Sequence, residues 1–195
     1  MQDPRDGMRS RGFTLIELMI AVAIISVLTT LAVLSFKRVS SRARAAEVYG
    51  MLGEFRAKEE AYRAEFSVFC NTKTTCTTAA AESDFYPALL SAQEPKLKAV
   101  SSATWPVAWT SLGISTTKNA LYCGYVVVAG CGSANATCAG FTAGTNGSAL
   151  FAGTQPTGAW WYAMATCDQD GRSTTNSIYE TSMNSATVAV LNEGQ

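Results

Sequence analysis

Apolar residues change rhythm twice along this chain of 195 residues. From 13 to 36 they run almost unbroken, FTLIELMIAVAIISVLTTLAVLSF, with one charge, Glu17. Further on they thin out: Val48, Leu52, Phe55, Tyr62, Phe66 and Phe69 recur at spacings of three, four and seven, which predicts an amphipathic helix. No glycine or proline stands between 13 and 49, so nothing local separates the two patterns. Together they predict one helix over about 13–66, about 80 Å long at 1.5 Å per residue. Glu54 with Lys58, and Glu59 with Arg63, fall at i, i+4 on its other faces in the favourable order.

Beyond residue 120 the period shortens. LYCGYVVVAG (121–130), GAWWYAMATC (158–167) and TSMNSATVAVLNEG (181–194) are rich in β-branched and aromatic residues, bounded by Gly, Ser and Asn, and predict three strands. The first two pair antiparallel about a midpoint near 145. The stretch 70–120, with Pro87, Pro95 and Pro106, reads as a connecting region. The predicted fold is α+β: a long helix whose apolar stripe packs on an antiparallel sheet. Its parts are a leader (1–12), an apolar helix (13–36), an amphipathic continuation (37–69), a connecting region (70–120) and a sheet with disulfide-bonded loops (121–195).

The segment 13–36 reaches about 36 Å as a helix, enough to cross a hydrocarbon core of about 30 Å. A secretory signal has a shorter apolar core and a small-residue cleavage site after it. Here a basic cluster follows instead (Lys37, Arg38, Arg42, Arg44), so the segment reads as a retained span. Arg5, Arg9 and Arg11 precede it, so arginine and lysine placement alone leaves the orientation open.

Composition narrows the chemistry. Fifteen basic and fifteen acidic side chains balance, which gives no reason to expect a nucleic-acid partner. The absence of histidine removes the Ser-His-Asp and Cys-His arrangements and histidine-bearing zinc sites. Six cysteines (Cys70, Cys76, Cys123, Cys131, Cys138, Cys167) all follow the span, and none forms a C-x-x-C pair. An even count in a Ser/Thr-rich body points to disulfides in an oxidising compartment, with buried thiols as the alternative. Disulfides place the C-terminal body outside the cytoplasm. Six cysteines permit about 15 pairings. The expected set is Cys70–Cys76, Cys131–Cys138 and Cys123–Cys167, the last because the antiparallel pairing sets them opposite one another. Trp105, Trp109, Trp160 and Trp161 read as buried aromatics before a ligand-binding face.

The stretch RSRGFTLIELMIAVAIISVL (9–28) closely resembles the processing motif of type IV prepilins. The likeness is strong over about 13–36, reasonable to about 69, and only architectural beyond. It implies the pilin fold, a leader ending at Gly12, cutting between Gly12 and Phe13 by a prepilin peptidase, and methylation by that enzyme of the new amine on Phe13. It also implies that Glu17 pairs with a neighbour's terminal amine during filament assembly. An acid within a membrane helix is a functional candidate on physical grounds too, since it costs about 2.5 to 3.5 kcal/mol there. The plainer reading is a carboxylate near a helix N-terminus, favoured by the dipole.

Major pilins commonly carry a glycine and a proline in the apolar helix, where this chain has Ser26 and Leu34. That shifts the expectation to a minor pilin or a type II secretion pseudopilin. The alternative from another class is a membrane-anchored periplasmic binding module. Implied partners are the peptidase and methyltransferase, other pilin subunits, an inner-membrane assembly platform and, before assembly, lipid. The implied location is the bacterial inner membrane, then a pilus or periplasmic pseudopilus. No catalytic residue or cofactor is expected. CDQDGRST (167–174) sets Asp168 and Asp170 two apart before a glycine, which resembles part of a calcium loop. An ordinary Asp-Gly turn is the favoured reading of the two.

Overall fold

A computed structural model of the chain describes residues 13–88, 98–101, 103–114, 120–132, 145–167 and 176–191. The predicted helix is present as α1, Leu15–Phe66. The chain divides into two compact units, Met1–Arg42 and Ala43–Gln195.

In the first unit, α1 from Leu15 to Val33 is apolar apart from Glu17 and a few hydroxyls, and exposed. Leu15–Val33 is long and apolar enough to cross a membrane. The hydroxyls of Ser26, Thr29 and Thr30 do not interrupt it, because each bonds back to the helix. Ser26 Oγ donates to the Val22 carbonyl at 2.7 Å, Thr29 Oγ1 to Ile25 and Ser26 at 2.9 Å, and Thr30 Oγ1 to Val27 at 2.7 Å. Ser26, where a glycine was expected, thus sits in an unbroken helix; the side chain of Leu34 lies outside the described residues.

In the second unit the sheet is a four-stranded antiparallel meander. β3 (Cys123–Gly130), β4 (Trp160–Cys167), β5 (Ser177–Ser182) and β6 (Ser185–Leu191) lie side by side in chain order. Two two-residue strands, β1 (Lys98–Ala99) and β2 (Ala120–Leu121), pair separately. Short helices α2 (Val107–Leu112) and α3 (Asn146–Ala149) lie in stretches predicted as loop. The third predicted strand, 181–194, is instead a hairpin. Met183 and Asn184 turn the chain, so Ser182 pairs with Ser185, and residues 177–180 join the sheet despite a Ser/Asn-rich approach.

The β3–β4 register sets Cys123 opposite Cys167, and the two are bonded. Cys70 is bonded to Cys76. Cys131 is also disulfide-bonded, while Cys138 lies outside the described residues.

Both faces of the sheet are covered, where sequence reading supplied a cover for one. On the inner face Tyr125, Val127, Ala163, Ala165 and Tyr179 pack with Val48, Met51, Leu52 and Phe55 of α1 and with Trp109 and Leu112 of α2. On the outer face Val126, Val128, Trp160, Tyr162 and Met164 pack with Phe151. Trp109, Trp160 and Trp161 are buried and Trp105 is half-buried. The first two tryptophans of the sequence belong to the segment around α2, not to the sheet. The free edge of β3 is sealed by Asn71, which exchanges side-chain hydrogen bonds with Ala129 N and O, and by Thr72 on Val127.

The stripe of α1 departs from expectation at its C-terminal end. Val48, Leu52 and Phe55 are fully buried, but Tyr62 is half-buried and Phe66 is 51% exposed. Phe69 is buried from outside the helix, which stops at Phe66 because Ser67 turns to φ 61° and donates its N–H to the Arg63 carbonyl. Glu59, assigned by its spacing to a solvated face with Arg63, is instead buried. Arg63 lies over the Phe69 ring at 5.0 Å.

Candidate functional site

The N-terminal turn of α1 is built by four residues. Phe13 and Thr14 precede the helix, and Leu15 is its first residue. Thr14 is therefore the N-cap and Glu17 the third helical position, the arrangement T-x-x-E of a capping box. Both halves of the box are made. Glu17 N donates to Thr14 Oγ1 at 3.3 Å, and Thr14 N donates to Glu17 Oε2 at 2.9 Å. The Thr14 hydroxyl adds a third bond to Oε2 at 2.7 Å. The box satisfies backbone donors that a helix start leaves unpaired, and it puts a negative charge at the positive end of the helix dipole.

Two consequences follow from this geometry. All the bonds that Glu17 accepts go to Oε2, so among the described residues Oε1 takes none. Phe13, 80% exposed and ahead of the helix, has a side chain free of packing. Gly12, on the other side of the expected cut, lies outside the described residues, as do Asp168 and Asp170. The structure thus brings Thr14 and Glu17 together.

Two residues were passed over. Thr14 was legible in T-L-I-E, whose spacing is itself a capping signature. Glu59 lies four residues from Phe55 and three from Tyr62, on the same stripe. Its Oε2 accepts the Cys70 N–H at 2.9 Å, and Oε1 has no partner among the described residues. Burial first pushes this carboxyl up to about 8, the Cys70 bond opposes the shift and the neighbouring Glu60 charge adds to it.

Residues 7–33 match a family model, that of the prokaryotic N-terminal methylation motif. The matched segment holds Gly12, Phe13, Thr14, Glu17 and the apolar helix. No curated protein and no solved structure matches the chain. In this segment the chain is type IV prepilin-like, and its motif and apolar helix fit anchoring in a membrane before assembly.

Proposed function

We propose that this prepilin-like chain is a structural subunit of a type IV pilus or a pilus-like filament. It is made with the leader 1–12, cut between Gly12 and Phe13 by a prepilin peptidase, methylated on the new amine of Phe13 and assembled through its apolar helix. The observation that carries this reading is one charge-bearing turn at the head of an otherwise apolar, exposed helix, inside the matched methylation motif.

The chemistry of assembly follows from the capping box. Cutting leaves a cationic amine at Phe13, and lipid is a poor place for either that charge or the Glu17 carboxylate. In a helical array the Phe13 amine of one subunit meets Glu17 of a staggered neighbour. Oε2 keeps its own helix capped through Thr14, and Oε1 accepts the neighbour's amine. The two charges then neutralise each other where solvent is absent, which favours the assembled state.

Before assembly the chain is a single-pass protein of the bacterial inner membrane with its disulfide-bonded body in the periplasm. Within the class we assign it to the minor pilins. Its apolar helix is unbroken, and Ser26 is tied into it by the 2.7 Å bond to Val22. A pseudopilin of a secretion system is the second reading, favoured by the same continuity.

Two measurements test the proposal. Co-expression with a prepilin peptidase followed by intact mass shows loss of residues 1–12 and gain of one methyl group, and Gly12→Ala abolishes both. An uncut wild-type chain refutes the reading. Glu17→Gln then separates assembly from capping, because glutamine still completes the box while carrying no charge. It is cut normally but fails to enter filaments; normal incorporation would remove the assembly role.

A further inference from the structure

The stretch of α1 just past the apolar span carries cations that the filament reading does not use. Lys37, Arg38, Arg42 and Arg44 stand close together, and no Asp or Glu lies between Glu17 and Glu47. On a helix, a charge finds its partner three or four residues away. None of those positions around Lys37, Arg38 or Arg42 is acidic. Arg44 is different: its guanidinium lies 5.1 Å over the Tyr122 ring, in the second unit. Arg42 ends the first unit and is exposed.

Depth along the helix puts these cations at a bilayer surface. Leu15–Val33 covers about 28 Å of axis, close to a hydrocarbon core of about 30 Å. Lys37 and Arg38 follow Val33 by about 6 to 8 Å, the depth of the headgroup layer, and Arg42 stands about one turn further. Phe36 and Val39, on either side of that pair, are 74% and 65% exposed, an apolar surface that acyl chains would cover. Every Cα–Cβ bond of a helix tilts toward its N-terminus, here toward the span, so Arg42 leans back to the headgroups. Charge across the span points the same way. Cutting after Gly12 removes Arg5, Arg9 and Arg11, which leaves the Phe13 amine as the inner cation against Lys37, Arg38, Arg42 and Arg44 on the outer flank. That inverts the ordinary bias of lysine and arginine toward the inner side, and anions at the outer surface offset it.

We propose that Lys37, Arg38 and Arg42 form a docking surface for the phosphates of anionic phospholipids in the outer leaflet of the membrane that holds the subunit. The inference rests on the membrane-anchored reading above and adds the headgroup to it. Lipid is the occupant because the cations lie at headgroup depth, continuous with the apolar surface of the span. Lysine meets a phosphate as a point charge and arginine as a fork of donors. Each cation contributes about fivefold to the preference for an anionic over a zwitterionic headgroup at low salt. The contact keeps the subunit seated in the bilayer until assembly draws it out.

The test is the lipid shell of the full chain, reconstituted into nanodiscs of equimolar phosphatidylglycerol and phosphatidylcholine and weighed by native mass spectrometry. Wild type retains phosphatidylglycerol in excess, and the excess shrinks as sodium chloride is raised. Lys37→Gln, Arg38→Gln and Arg42→Gln together lower it by about tenfold or more, and Arg42→Gln alone by about fivefold. Arg44→Gln behaves as wild type. Whatever the leader arginines retain is common to all of these variants. Equal retention by the wild type overturns the proposal, as does an excess unchanged in the triple variant or lost with Arg44→Gln. Inorganic phosphate added at constant ionic strength leaves the excess in place; an excess that it abolishes would mean a free-anion site instead. The anchoring reading fails by a different result. A chain that does not float with vesicles of phosphatidylcholine alone refutes the membrane span, whereas one that floats without headgroup preference removes only the phosphate surface.

Discussion

Glu17 and Glu59 each interrupt an apolar stretch of the same helix, and their surroundings answer them differently. Glu17 stands in the first turn, exposed, where a threonine three residues earlier supplies two donors and the backbone needs an acceptor. Glu59 stands in mid-helix, fully buried, with one donor, Cys70 N, brought from beyond the helix end. Local sequence satisfies the first acid before any tertiary structure exists. The second depends on the chain folding back after Ser67 and on the Cys70–Cys76 bond that fixes the returning strand of loop. The same side chain is therefore a cap in one place and a protonation-sensitive core group in the other.

The largest effect expected from this contrast is a pH dependence carried by Glu59. Its folded value, about 8, is raised from 4.5, so the fold favours the neutral acid. The stabilisation is fully present below pH 4.5 and is lost as pH rises through about 8, on the order of 4 kcal/mol across that window. Chemical denaturation of the chain in micelles at a series of pH values shows this fall, and Glu59→Gln flattens it. An equal slope in both proteins would show that Glu59 is not held neutral.

A smaller effect comes from the anchor. Replacing Cys70 and Cys76 by serine opens a six-residue separation and lowers stability by about 2 kcal/mol. It also enlarges the pH-dependent loss that Glu59 carries, because the Cys70 N–H, which opposes the upward shift, is no longer held at the carboxylate. Loss of stability with the slope unchanged would separate the disulfide from the acid.

The smallest belongs to the cap. Thr14→Val removes the hydroxyl that gives and accepts two of the three bonds at Glu17 and weakens the first turn by about 1 kcal/mol. Amide hydrogen exchange in micelles reads this as faster exchange confined to the first turn, with the body unaffected. Unchanged exchange there would mean that the box contributes nothing to the helix start.

Much of this arrangement was legible in the residues. The unbroken run from 13, the absence of glycine and proline to 49 and the spacing of Val48, Leu52 and Phe55 act through the backbone and one face of one element, so they are readable locally. The antiparallel pairing that sets Cys123 against Cys167 also follows from two neighbouring strand patterns. Glu59 was misplaced because an i, i+4 charge pattern with Arg63 suggested a solvated face, although its own spacing put it on the stripe. The hairpin at Met183 and Asn184 was read as one strand because no glycine or proline marks its turn.

By itself, then, the sequence determined the prepilin-like motif, the long helix with its change from apolar to amphipathic, the capping pair Thr14 and Glu17, and the α+β class. Those depend on residues within a turn or two of each other. Only the tertiary structure decided that Glu59 is sealed in the core, that Asn71 and Thr72 close the edge of β3, and that Phe151 covers Trp160, Tyr162 and Met164 on the outer face. Each of these joins segments more than a turn or two apart in the chain. Whether a polar group is solvated or enclosed is set by what packs over it, not by its neighbours in sequence.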